Sequence, residues 1–476
     1  MNARSADTAR SPRGGNGGHT AHSNHVQESR RIAFDVIAAV RESDAYANLL
    51  LPTRISRAKL STADAGLATE LTYGTLRMQG YYDRVIALAS GRAVDAIDAP
   101  ILDVLRLGTH QLLSTRVAPH AAVNESVALA RTVGSRSATG FCNGVLREIT
   151  RHTAAEWQDR VLADAVGDDD KLAATFSHPV WIVRAFRQAL AAEGRQSELE
   201  ALLRADNAAP RVNLIALPGL AETPEGSELN RYSPAGFVLG GGDPQRLVEK
   251  HHGTLRVQDE GSQLAALALS RARAVTPGER WLDLCAGPGG KAALLAAEAR
   301  LGGATLVANE VVPARAELVR RALAGVPGTV DVWQRDGTSI DDDQAGSFDR
   351  ILLDAPCTGL GALRRRPEAR WRKVPRDVAE LNTLQASLFD AAVRALKPGG
   401  ILAYVTCSPH LAESRLAVQD ALKRWPNVLA PLETASVLQG VSENPLDLAG
   451  DPTQVQLWPH RHGTDAMFIA LVTKTA

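Results

Sequence analysis

Residues Trp281 to Leu295 read WLDLCAGPGGKAALL. This is the pattern of a short apolar strand, a glycine-rich turn and the opening of a helix. Gly287, Gly289 and Gly290 allow a backbone to approach a ligand closely and to take conformations closed to other residues. The helix start offers free N–H groups to an anionic or carboxylate group. Glu310 follows Gly287 by 23 positions and ends the next apolar run. An acid at that interval accepts hydrogen bonds from two ribose hydroxyls. Asp336 ends a third run, where a carboxylate can take an adenine amino group. The alternative for Asp336 is a turn residue preceding Gly337. The Gly-x-Gly-x-x-Gly of hydride-transfer dehydrogenases is absent.

Outward from this stretch, strands and helices alternate. Expected strands are Arg280–Cys285, Thr305–Glu310, Val330–Gln334, Asp349–Asp354, Gly400–Thr406 and Met467–Thr473. Expected helices are Ala292–Arg300, Pro313–Ala324, Val378–Leu396 and Glu413–Arg424. Such alternation predicts a mostly parallel, doubly wound α/β sheet of Rossmann type. Its ligands bind beyond the carboxyl ends of the strands, so the residues that matter lie just after each strand.

Two of the four cysteines occupy such places. Ile351–Gly361 reads ILLDAPCTGLG and Ile401–Ser408 reads ILAYVTCS, which sets Cys357 and Cys407 past apolar strands, 50 positions apart. Cys142 and Cys285 read as small buried hydrophobes. Methylation of cytosine C5 is a reaction in which both thiols have a use. A thiolate adds to C6, and C5, now part of an enamine, attacks an electrophilic methyl sulfonium. A second thiol near C5 serves as base or assists release. Asp354 is placed to hydrogen-bond the base at N3 and its 4-amino group. Lys291 is placed to orient Asp354 or to lower a thiol pKa.

The blocks LCAGPGGK, LLDAPCTGLG and TCS, with QDEGSQL at Gln258–Leu264 and RRRPEARWR at Arg364–Arg372, resemble the NOL1/NOP2/Sun family of RNA cytosine-C5 methyltransferases. The resemblance implies a class I methyltransferase domain that uses S-adenosylmethionine. It implies cofactor binding by Cys285, Ala286, Gly287, Pro288, Gly289, Gly290, Lys291, Glu310, Asp336 and Asp354. It also implies Cys407 as the attacking thiolate and Cys357 as the residue needed for product release. Glu310 stands where Asp is common. After Thr-Cys-Ser, the usual Pro-Glu-Glu-Asn is loosened to Leu411-Ala412-Glu413-Ser414.

A chain of 476 residues suggests two to four domains. Residues 1–27 are polar and glycine-rich and read as a disordered tail. Residues 28–155 carry helical periodicity throughout, as in Ile32, Val36, Ile37 and Val40. The stretches APILDVLRLGTHQLL, PHAAVNESVAL and GFCNGVLR resemble the NusB-type RNA-binding domain of transcription antitermination factors. Asn124, Glu125 and Asn143 are expected as caps and interhelical hydrogen bonds there. Residues 156–250 read as a small α/β connector, and 251–476 as the methyltransferase domain.

With 53 basic and 53 acidic residues, global charge gives no support for nucleic-acid binding, so any RNA surface is a local patch. Arg364, Arg365, Arg366, Arg370, Trp371, Arg372 and Lys373 form the candidate, against the plainer alternative of a solvated charged face. The cysteine spacing fits neither a disulfide framework nor a zinc site, and no apolar run approaches the ~20 residues of a membrane span. The expected partner is thus RNA, with 16S ribosomal RNA implied by the resemblance, for a cytoplasmic monomer without metal. The competing readings are a transfer RNA methyltransferase, a DNA cytosine methyltransferase, whose Pro-Cys thiol would leave Cys407 unexplained, and a non-catalytic RNA-binding factor.

Overall fold

The computed structural model describes residues 26–43, 45–328 and 330–475. The proposed tail lies outside the described residues up to position 25. Val26 is buried, and the backbone N–H of Gln27 donates to Glu125 at 3.0 Å, so Glu125 does tie helices together.

Seven helices between Glu28 and Ile149 form the first layer of the structure. Their apolar stripes, such as Ile101, Leu102, Val104 and Leu105 on Ala99–Ser114, meet in one core with Val36, Tyr82 and Leu146. Residues 156–250, expected as one α/β unit, serve three neighbours instead. Helix Ala154–Asp164 starts at a Thr153–Glu156 capping box and completes the helical core with Trp157. The next three helices bury Phe176, Ile182 and Phe186 against Leu360, Leu363, Trp458 and Ala466 of the C-terminal domain. Strands β1 (Asn213–Ala216), β2 (Glu228–Leu229), β3 (Gly236–Val238) and β4 (Leu255–Val257) form an antiparallel sheet in the order β2-β3-β1-β4. The sheet therefore runs to Val257, beyond position 250. Neither amphipathic helices nor a four-stranded sheet can bury its apolar face alone, so each takes the nearest partner.

The C-terminal sheet contains β5 (Arg280–Asp283), β6 (Thr305–Asn309), β7 (Asp331–Trp333), β8 (Phe348–Asp354), β9 (Leu396–Thr406), β10 (Leu429–Pro431), β11 (Gln454–Gln456) and β12 (Phe468–Lys474). The order is β10-β12-β9-β8-β5-β6-β7, with β11 paired to β12. The five strands from β5 to β9 are mutually parallel, and β12 runs antiparallel to β9. Strand order reverses between β5 and β8, so the cleft opens where the glycine loop and the Asp354–Cys357 loop emerge. Asn309, 1 % exposed, binds the carbonyls of Leu284 and Arg335 and accepts from Arg335 N, which ties the loops after β5 and β7 together.

Helix Glu260–Ser270 was not among the expected elements. Leu264 through Leu269 are all fully buried, because the helix is covered by helices Gly290–Leu301 and Thr434–Val441 and by β9. A helix apolar on every side has no stripe to read. Its last carbonyls are capped by the buried guanidinium of Arg350 on β8, which also pairs with Glu279 at 2.7 Å. Among the described residues no helix is long and apolar enough to cross a membrane.

The arginine run at 364–373 is largely interior, which corrects its reading as an RNA-facing patch. Arg370 is 0 % exposed. It donates to the carbonyls of Arg77, Ser177 and Asp206 and to Asn207 Oδ1. Arg364 and Arg365 are spent on Asp465 and Asp259. Arg372 donates to the carbonyls of Val40 and Ala45. Trp371, partly exposed, lies against Gly80 of the helical layer. The run is dense in arginine because one guanidinium can satisfy several orphan carbonyls at a domain junction. Of the RNA-binding candidates, Arg366 and Trp371 are exposed, Arg365, Arg372 and Lys373 are half-buried, and Arg364 and Arg370 are buried.

Replacing Arg370 with Met should leave three buried carbonyls and Asn207 Oδ1 without their donor. The expected loss is about 3 kcal/mol or more of stability, at roughly 1–3 kcal/mol for each buried acceptor left unsatisfied. Urea denaturation would measure it, with Arg376→Ala, at an 82 % exposed side chain, as the neutral comparator. An Arg370→Met protein with the wild-type midpoint would contradict the junction role.

Candidate active site

Each expected site residue sits at the carboxyl edge of the parallel strands. Cys357 follows β8 and Cys407 follows β9, and their sulfurs are 3.5 Å apart. Parallel strands deliver their following loops to one edge, which is how positions 50 residues apart come together. Gly361 allows the approach. Its N–H donates to Cys407 O at 2.8 Å, and a Cβ there would strike both that oxygen and Ala466 O.

Glu413 holds the two cysteine loops in register. It is 0 % exposed. It accepts from Thr358 N at 2.8 Å, Thr358 Oγ1 at 2.5 Å and Ser408 Oγ at 2.6 Å. Tyr404 Oη donates to the Glu413 carbonyl, and Gln385 Nε2 to Pro356 O at 2.7 Å. Sequence reading gave Glu413 no role beyond a loosened motif and the start of an expected helix. Its signal was an acid six positions past Cys407, just beyond the Thr-Cys-Ser block.

Lys291, in the first turn of helix Gly290–Leu301, donates to Asp354 Oδ2 at 2.8 Å. Burial pulls its pKa down, but the charge of Asp354 and that hydrogen bond outweigh it, and the ammonium is held charged. The thiols then diverge. The hydrogen bond from Cys357 brings Cys407 below the usual thiol value, against burial and Asp354, with Lys291 and Arg366 assisting. The same bond, with burial and the Cys407 charge, holds Cys357 well above it. The shared hydrogen bond thus makes Cys407 the more acidic of the two thiols. Burial pushes up the thiols of Cys142, to about 12, and Cys285; Cys142 is fully buried, as expected, and Cys285 is half-buried.

Glu310 is buried and accepts from Gly287 N at 3.2 Å and Val312 N at 2.9 Å, with Arg315 at 3.4 Å. Asp336 is exposed and caps the short 3-10 turn Gly337–Ser339 through Thr338 N and Oγ1, which lower its pKa. It therefore does what the turn alternative described, at the mouth of the same cleft. Sequence reading missed Asp283, the last residue of β5. It is 1 % exposed, and neither carboxylate oxygen has a hydrogen-bond partner among the described residues. Burial and the nearby Asp354 charge, against the pull of Lys291, raise its pKa to about 8. The acid inside the Leu-Asp-Leu-Cys block was the available signal.

Residues 271–473 match the family model described as "16S rRNA methyltransferase RsmB/F", and residues 27–151 match that of the NusB family. A Mycobacterium tuberculosis (strain H37Rv) protein, Rv1407, with a provisional methyltransferase name, is 48% identical over 453 residues, covering 94% of this chain and 96% of its own. The chain belongs to the RsmB/F methyltransferase family. It is therefore an enzyme that transfers methyl groups, built on a NusB-type front end. The ribosomal RNA small subunit methyltransferase B of Pseudomonas putida is 33% identical over 466 residues, covering 94% of this chain and 98% of its own. Among solved structures, PH0851 shares the fold across 94% of this chain and 98% of its own, with a TM-score of 0.76 at 21% identity.

Brief iodoacetamide treatment at pH 7.5 should alkylate Cys407 before Cys357, read by peptide mass spectrometry. Lys291→Gln should move the half-maximal rate at Cys407 to higher pH, because losing the ammonium disfavours the thiolate. Faster labelling of Cys357 in the parent enzyme would reverse the assignment.

Proposed function

We propose that this methyltransferase acts on C5 of a cytosine in RNA, with S-adenosylmethionine as methyl donor and 16S ribosomal RNA as substrate. The observation that carries the reading is the Cys357–Cys407 pair, 3.5 Å apart, beside the Lys291–Asp354 ion pair. Two thiols of unequal acidity suit a reaction that must first add a nucleophile and later remove a proton. The names of its bacterial relatives support the ribosomal substrate and, with it, a cytoplasmic enzyme.

The residues present fit the cofactor. Asp283 offers two unpartnered buried oxygens to a cationic amino group. A side chain at Gly287 would fill the space between the loop, Glu310 and Arg315. The loop Cys285–Lys291, Glu310 for the ribose and Asp336 for the adenine complete the cradle. When bound, the cofactor supplies an electrophilic methyl sulfonium.

Cys407 Sγ adds to C6 of the cytosine, and the electron pair of the C5–C6 double bond shifts through C5 and C4 onto N3, which takes up a proton delivered from solvent by way of Asp354. Asp354, steered by Lys291, stands at N3 and the 4-amino group, passing that proton to N3 and accepting a hydrogen bond from the amino group. After C5 is methylated, its proton leaves to a base. Cys357 takes this role once its own proton has passed to solvent, N3 returns the proton it took, and the double bond reforms as Cys407 thiolate departs. A target in the stack is out of reach of C6 attack, so the cytosine must be splayed out, which favours a loop and naked or partly assembled RNA.

Cys407→Ala should abolish methyl transfer and adduct formation. Cys357→Ala should still attack and methylate but stall, so a protein–RNA complex should build up on denaturing gels. Bisulfite sequencing of ribosomal and transfer RNA from a deletion strain tests the substrate. Loss of one methylcytosine in 16S RNA is expected, and loss confined to transfer RNA would overturn the ribosomal assignment. An adduct with 5-fluorocytosine DNA alone would overturn the RNA reading.

Asp283 yields a pH test. Ionised, it binds a cation, and in the free protein it keeps its proton until about pH 8. S-adenosylmethionine affinity should therefore rise between pH 6.0 and 7.5, by at most about tenfold per unit for one released proton. In Asp283→Asn the affinity should be lower and flat across that range by calorimetry. An equal slope in both proteins would exclude Asp283 from the cofactor site.

A further inference from the structure

Arg366 stands apart from the rest of its run. It is exposed and makes no ion pair among the described residues, whereas Arg364 and Arg365 are bound to Asp259 and Asp465. Its guanidinium lies over the ring of Tyr46, 5.1 Å from the centroid. Tyr46 belongs to the helical layer, N-terminal to helix Ala47–Ala58, and is 45 % exposed. Its position is pinned from the catalytic side. Glu368 accepts from Ala47 N at 3.2 Å, and Arg372 donates to Ala45 O at 2.7 Å while its guanidinium also lies 5.5 Å from the Tyr46 centroid.

Arg366 is also close to the chemistry. Its N–H donates to Ala362 O at 3.0 Å, one turn from Gly361, whose N–H holds Cys407 O at 2.8 Å. The guanidinium charge is felt at the Cys407 thiol. An exposed, unpaired guanidinium at the rim of a thiolate site has its N–H fork free for an anion, while the aromatic face fixes its plane. The anion available beside a splayed-out cytosine is its own backbone phosphodiester.

We propose that Arg366 grips a phosphate flanking the target cytosine, and that Tyr46, supplied by the NusB-type domain, is the positioning residue that aims it. The assignment rests on the reading of the substrate as RNA. It makes the front domain part of the catalytic mouth, in addition to any docking surface of its own. Phosphate contacts set register without reading sequence, so the pair places the nucleotide and leaves base choice to Asp354.

The test uses the full-length enzyme with RNA carrying the target site, scoring RNA binding against salt and methyl transfer against RNA concentration. Arg366→Gln should raise the RNA KM about tenfold and flatten the salt slope by about 0.7, the value for one phosphate on a single strand. Arg366→Lys should keep the slope and lose part of the affinity. Tyr46→Leu should raise the RNA KM without changing the salt slope, and Tyr46→Phe should restore it, which a general loss of folding would not reproduce. S-adenosylmethionine affinity should match the parent in all four. Parent-like KM and salt slope in Arg366→Gln would overturn this assignment and leave the methyltransferase reading standing. A parent enzyme that methylates no RNA would instead sink the reading beneath it.

Discussion

Two loops that follow neighbouring parallel strands must be held so that their sulfurs touch, and a single buried carboxylate does this. Glu413 takes hydrogen bonds from Thr358 on one loop and Ser408 on the other, with no water-facing surface. A buried carboxylate is tolerated only when its oxygens are satisfied, so the loops cannot drift apart without exposing an uncompensated charge. The Gly361–Cys407 backbone contact adds a second clamp at the same place. The rest of the site depends on this register, since 1 Å of misplacement is worth roughly a hundredfold in rate.

Around that register the charges are arranged in opposition. Lys291 is kept protonated by Asp354, Cys407 is favoured as thiolate, and Cys357 keeps its proton. Asp283 sits deeper, close to the same groups but without a partner, and holds its proton up to about pH 8. Two carboxylates on adjacent strands thus meet different surroundings: Asp354 reaches the lysine, and Asp283 does not. The same strand-end geometry that collects nucleophile and acid also puts the glycine loop beside them.

The junction between domains is built differently. Arg370 meets carbonyls from three separate elements, and Arg372 meets two more from the first helical hairpin. A guanidinium with five donors suits this work, and burying it there fixes the helical layer at one orientation over the cleft. Tyr46 is brought to the rim by that same packing. The front domain is therefore joined to the chemistry through one short arginine-rich segment.

By itself the sequence determined what local pattern can carry. The strand–loop–helix at Trp281–Leu295, the two strand-end cysteines and the helical periodicity before residue 150 are short-range signals, and the elements at Arg280–Asp283, Phe348–Asp354 and Leu396–Thr406 sit where the pattern placed them. Parallel topology then sends every strand-end residue to one edge, so most of the candidate site followed without coordinates. Tertiary structure alone decided the rest. The run 364–373 reads as an exposed basic patch until its partners, some 100 to 330 positions away, prove to be buried carboxylates and backbone carbonyls. Helix Glu260–Ser270 shows no stripe because it is covered on all sides. Asp283 looks like any acid in a loop motif until its burial without a partner is seen. Tyr46 and Arg366 are 320 positions apart, and only the docking of one domain on another gives that aromatic face its cation. Sequence periodicity reports which face of an element is apolar; it carries no record of which distant group will meet it.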